Sequence, residues 1–212
     1  MQAFEKAPPD VQDIALVCGN CHGREGELFG ASKAKMALEL HGKRACVACH
    51  SNHDVQTPDD RMISTAPGGL CTVCHKPGSV CDRKARVITA RFGAIKDSVR
   101  VADSLLALAD RRGMQVGDGQ ESLRQAQDKL TEARVALHRF DADFMRGILD
   151  EGSGLAERAR SRGQEGLRDW RNRRLGMAWS LIAILGLAVA LVLKIRRIEE
   201  RPEEPGSARE RA

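Results

Sequence analysis

Three short runs of this chain repeat one pattern: two cysteines three positions apart, then a histidine at once. They are Cys18, Cys21 and His22 in CGNCHG, Cys46, Cys49 and His50 in ACVACHSNH, and Cys71, Cys74 and His75 in GGLCTVCHKPG. Thiols at that spacing can add to the two vinyl groups on one edge of a porphyrin, while the next imidazole reaches the iron as proximal ligand. The pattern is the attachment signal of c-type haem. A lone CxxC is a redox pair or half a zinc site, but neither explains a histidine directly after every pair. Zinc ribbons separate their pairs by about 15–20 residues, and the gaps here are longer. Three pairs also divide awkwardly into four-ligand sites, and structural disulfides leave the histidines without a part.

The chain has six histidines, and the three patterns leave His41, His53 and His138. Three irons, each with one proximal imidazole, need three distal ligands, so the tally fits bis-histidine coordination throughout. His53 follows His50 by three residues, a reach of about 10 Å of extended chain. It is therefore expected on a neighbouring haem, as is His41, which precedes the second motif. His138 stands apart. As a ligand it requires the second half of the chain to fold back; otherwise it is a helix-surface histidine, and one iron is left with Met36, Met62, water or an open site. The seventh cysteine, Cys81, lies outside the pattern and is assigned no role.

The elements that must hold these residues change character near residue 83. Residues 1–82 contain every cysteine, are rich in Gly and Pro, and can bury little core unaided. Residues 54–69, DVQTPDDRMISTAPGG, read as a loop. Beyond them Ile88, Phe92, Ile95, Val99, Ala102, Leu106 and Ala109 form a helical stripe, which Gly113 is placed to end. Leu123, Leu130, Leu137 and Phe144 recur every seven residues, with Ala126, Ala133 and Phe140 between them, and predict a second helix. The two would pack as an antiparallel hairpin. Gly147, Gly152 and Gly154 weaken helix propensity before a third, charged helical stretch from about 155 to 174.

From Leu175 to Leu193 the run LGMAWSLIAILGLAVALVL has no charge and is long enough to cross a membrane as a helix. Trp179 lies near one end, where an interfacial ring is favourable. Arginines and lysines flank both ends, so charge bias does not set orientation. The tail IEERPEEPGSARERA reads as disordered. The opening MQAFEKAPPDVQDIAL lacks an apolar signal region, and an upstream segment is expected.

Composition narrows the function classes. There is no tyrosine and aromatics are 3% of residues, so the core needs another source of apolar bulk, which porphyrins would supply. Net charge is +5, with acidic residues interleaved. A basic stripe with stacking aromatics is missing, so no nucleic-acid partner is expected. The expected fold is mostly α: a loop-rich, haem-packed N-terminal head over 1–82, a helical hairpin and stalk over 83–174, a single C-terminal transmembrane helix over 175–193, and a tail over 194–212.

The run HGKRACVACHSNH, with CGNCHG before it and GGLCTVCHKPG after it, resembles the class III multihaem c-type cytochromes and their doubled-CxxCH relatives. The resemblance covers roughly the first 80 residues. It implies three covalently bound haem c groups, with Cys18, Cys21, Cys46, Cys49, Cys71 and Cys74 as thioether sites. It implies His22, His50 and His75 as proximal ligands and His41 and His53 as distal ones. Membrane-bound quinol dehydrogenases of nitrate and nitrite respiration are similar in concept, but their anchor is N-terminal and they usually carry four haems. Haem attachment of this type implies an inner-membrane protein with its head periplasmic and its C-terminus cytoplasmic.

The function expected is electron transfer between a membrane- or quinol-linked donor and an extracytoplasmic redox partner, as a subunit of a respiratory complex rather than as an enzyme. Two rivals stand beside it. One is a catalytic haem subunit with an open axial site for nitrogen-oxide or quinol chemistry; the other is a zinc-stabilised interaction module.

Overall fold

The computed structural model describes residues 17–51, 53–64 and 66–200. The N-terminal residues expected to follow an upstream segment, and most of the polar tail, lie outside the described residues. Among those described, the chain is mostly helical and contains no strand. Three short helices come first: α1 (Gly23–Gly30), α2 (Lys33–Leu40) and α3 (Val47–His50). Two 3₁₀ turns follow, Asp60–Met62 and Leu70–Val73. Then come α4 (Val80–Arg111), α5 (Gly117–Ala136), a 3₁₀ turn at Leu137–Arg139, and α6 (Ala142–Glu199). Compact packing divides the chain into Met1–Gly166 and Leu167–Ala212, with the division falling inside the residue range of α6.

Local chemistry sets the ends of α4. The Ser79 side chain accepts from the Asp82 amide at 3.2 Å, and Asp82 reaches back to the Gly78 amide at 2.6 Å. One orphan donor of the helix start and the amide just ahead of the cap are thereby satisfied. At the other end Gly113 is left-handed, its amide donating to Asp110 while the Met114 amide donates to Ala109. That pair of bonds is a Schellman closure, which glycine enters without a Cβ penalty.

Two expectations about the helices need correction. The seven-residue recurrence through Leu137 and Phe144 does not mark one helix. Phe140 is left-handed at φ 54°, and Asp141 accepts from the Asp143 and Phe144 amides, so it caps a new helix. Both residues still pack on the same core, from either side of a turn. Nor does the third helix start near 155: α6 is continuous from Ala142 and includes the weak helix formers Gly147, Gly152 and Gly154. A Cβ on Gly152 would lie 3.1 Å from the Lys129 Cβ and 3.8 Å from Ile95 Cδ1. Close approach of helices offsets the propensity cost of about 1 kcal/mol.

The core of the first unit is a three-helix packing. Phe92 and Ile95 of α4, Leu130, Ala133 and Ala136 of α5, and Met145, Ile148 and Leu149 of α6 form one buried cluster. Ala102, Ala109, Ala126, Ala133, Ala156 and Ala159 are fully buried. Small residues let the helices approach closely and fill the space between them. The scarcity of aromatics thus has a local explanation here, in addition to any bulk a cofactor brings.

The cysteine-bearing segment is docked on this bundle. Ile63 packs against the same cluster, and the Thr89 hydroxyl donates to its carbonyl at 2.8 Å. The Asp60 carboxylate pairs with Lys96 of α4 at 3.0 Å and with Arg134 of α5 at 2.9 Å.

α6, whose C-terminal part makes up the described second unit, is the one described helix long and apolar enough to cross a membrane, by length and composition. Its large apolar side chains from Leu175 to Leu193 are exposed. Just before them, the Arg174 guanidinium stands 5.0 Å from the centre of the Trp170 ring.

Candidate functional site

The three cysteine motifs adopt one backbone turn. In the first, the amides of Cys21 and His22 donate to the Cys18 carbonyl at 3.2 and 2.9 Å. In the second, those of Cys49 and His50 donate to Cys46 at 3.2 and 3.0 Å. In the third, Cys74 and His75 donate to Cys71, the latter at 2.9 Å. Residues three and four apart share one side of a helical turn. Each motif therefore presents two thiols and an imidazole from one side of one turn.

Different elements hold the three turns. The first opens α1, with His22 at the helix cap. The second is α3 itself, closed by Ser51 at φ 64°. The third begins inside the Leu70–Val73 turn, and the Cys71 amide ties it to the Ser64 carbonyl at 3.2 Å. Gly69 has no room for a side chain, since a Cβ there would run into the Ser64 carbonyl. The glycine pair before CTVCH is what lets this motif seat.

Thiols of different motifs act on one another electrostatically. Burial pushes the Cys46 thiol up, and neighbouring Cys18 adds to the shift. Burial does the same to Cys49, with Cys74 next in effect. Cys71 is pushed up to about 11 by burial, helped by Cys81 and Cys49. Cys81 therefore lies beside the third motif, within hydrogen-bonding reach of Cys71, a neighbour that its place in the sequence did not reveal. None of the seven cysteines is paired in a disulfide.

The histidines divide into two groups. His50 is half-buried, and its ring is 6.1 Å, centre to centre, from that of His138, with an interplanar angle of 20°. Burial first, then His138 and His22, lower the His50 pKa and favour the neutral imidazole, the form that can ligate a metal. His138 sits in the 3₁₀ turn between α5 and α6, and that turn packs against α1. It is not on the surface of a continuous helix. Asp141, followed by Asp143 at the start of an apolar run, is a helix-start signal that could have placed His138 in a turn. His22, His75, His41 and His53 are exposed. His41 ends α2 as its C-cap, and His53 lies in a bend after α3. The ring contact among the described histidines brings His138, not His41 or His53, to a motif imidazole.

The donor chemistry fits covalently attached haem. Two thiols and an adjacent imidazole recur on one turn three times, and a nearby non-motif imidazole faces one of them. Among the described residues, no three or more His, Cys, Asp or Glu side chains gather as a shell for a single metal ion. No protein-family model, curated protein or solved structure matches this chain.

Proposed function

We propose that this chain is a membrane-anchored electron carrier with three covalently attached c-type haems. It passes electrons between a membrane- or quinol-linked donor and a redox partner outside the cytoplasm, as a subunit of a respiratory complex. The observation that carries this reading is the threefold recurrence of one hydrogen-bonded Cys-x-x-Cys-His turn. Bound haem c supplies a reversible one-electron change at its iron, with a potential tuned by axial ligands, hydrogen bonds and burial.

The residues of the chain hold and tune that group. Cys18, Cys21, Cys46, Cys49, Cys71 and Cys74 form the thioethers. His22, His50 and His75 are the proximal ligands, and His41, His53 and His138 the distal ones. The helical bundle braces the head, because Asp60, Ile63 and Thr89 join the loop between motifs to α4 and α5. Residues 175–193 anchor the chain in the inner membrane, with the head periplasmic and the C-terminus cytoplasmic.

A second reading, a catalytic haem with one open axial position, draws on the third motif. His75 is exposed and lines an open concavity of about 510 Å³ with Pro67, Val73, Cys74 and Pro77. Three low-spin haems support the carrier, whereas one high-spin haem in three supports the enzyme.

Expression of the full chain in a host that matures c-type cytochromes tests the proposal. Intact mass and haem quantitation should give three covalent haems per chain. A polypeptide mass without added tetrapyrrole overturns it.

A further inference from the structure

We propose that His50 and His138 are the two axial ligands of a single iron, the one attached through Cys46 and Cys49. This inference rests on the haem reading above and adds the pairing.

Distance is the first support. A metal–imidazole nitrogen bond is about 2 Å and the ring centre lies about 1 Å beyond, so imidazoles opposed across one iron have centres about 6 Å apart. The measured separation is 6.1 Å. Aromatic rings that simply pack have centres about 4.5–7 Å apart, so the distance alone leaves both readings open. The second support is chemical.

Nδ1 of His138 lies 3.0 Å from the Val135 carbonyl oxygen. A carbonyl only accepts, so Nδ1 carries the hydrogen and Nε2 keeps its lone pair. Donation of the other ring N–H to a backbone carbonyl is the usual support of a metal-bound histidine, because it fixes tautomer and ring orientation. A part-buried histidine that merely packs would satisfy its ring N–H in the same way; what the bond adds is a free Nε2 on the one bundle imidazole that stands 6.1 Å from a motif imidazole. The turn is itself held in place: Phe140 is left-handed, Asp141 caps α6, and Leu137 packs on the core. The bundle therefore delivers a pre-set imidazole to the second motif.

The pairing has a consequence for the remaining ligands. With His138 committed to His50, His41 and His53 are left for His22 and His75. The second iron becomes the one whose ligation depends on the bundle being folded.

The test counts affected haems in the purified full-length holoprotein. Electron paramagnetic resonance of His50→Ala, His138→Ala and the double variant should each show one haem leaving the low-spin population and two remaining. Added imidazole should restore the low-spin signal of His138→Ala, a rescue that general misfolding would not give. A His138→Met variant should stay low-spin with one raised potential. Three unchanged low-spin haems in His138→Ala would overturn the pairing, as would two affected haems in the double variant. Loss of all covalent haem from the wild-type chain is a separate outcome, one that removes the underlying function and the pairing with it.

Discussion

The Asp60 carboxylate accepts the Arg134 guanidinium through Nε at 2.9 Å, joining the loop between two cysteine motifs to the second bundle helix. Lys96 completes the arrangement at 3.0 Å. The Asp60 side chain is 17% exposed, whereas Arg134 and Lys96 are about half exposed.

Arg134 first, then Lys96, hold the Asp60 carboxyl below its ordinary value, against the opposing effect of burial. A depressed carboxylate contributes stability that is complete above the unfolded pKa of about 4 and is lost as pH falls through the lowered folded value. Asp60→Asn should cost about 1–2 kcal/mol at neutral pH, since charge-assisted bonds are lost but the cations are solvated. Thermal melts of wild type and variant should converge in acid, where the wild type has lost the same pair.

Gly163 lies where α6 meets α4, and a Cβ there would be 2.8 Å from the Leu105 Cβ and 3.1 Å from the Leu106 amide nitrogen. Gly163→Ala gains about 1 kcal/mol of helix propensity but meets an overpacking cost of about 1–3 kcal/mol. Backbone is among the atoms met, so the clash should win and denaturation should shift to lower urea. Gly154→Ala is the control: its Cβ would meet only the Arg158 guanidinium at 3.9 Å, and it should stabilise the helix.

Gly69→Ala should unseat the third motif, because the new methyl meets the Ser64 carbonyl that accepts from the Cys71 amide. On the haem reading, intact mass should show chains with two haems in place of three. Helix content measured by circular dichroism should be unchanged, since the bundle lies outside this turn.

In the haem-free chain, Cys71, with its thiol near 11, should alkylate about tenfold more slowly at pH 8 than an ordinary thiol. Peptide mapping after iodoacetamide labelling would measure this against exposed Cys21. The gap should close in denaturant and narrow as pH approaches 11.

Sequence alone determined what is written in spacing. The three cysteine and histidine patterns are legible, and so is the haem chemistry proposed for them, because each lies within one turn. The stripe from Ile88 to Ala109 marks a helix because helical periodicity is local, and the uncharged run at 175–193 is long enough for a membrane because length is additive. Folding decided the relationships between distant segments. Leu137 and Phe144 share a core although a left-handed Phe140 separates their helices, because an unbroken hydrophobic period cannot report a turn that preserves it. Gly152 reads only as a weak helix former until Lys129 and Ile95 are seen to fill the space of its missing side chain. His138 reads from sequence as a candidate ligand only if the chain folds back, and it is the turn between α5 and α6 that carries it to His50. Cys81, Asp60 and Ser64 carry no motif at all. Their neighbours come from tertiary packing, which brings together groups that one-dimensional spacing leaves far apart.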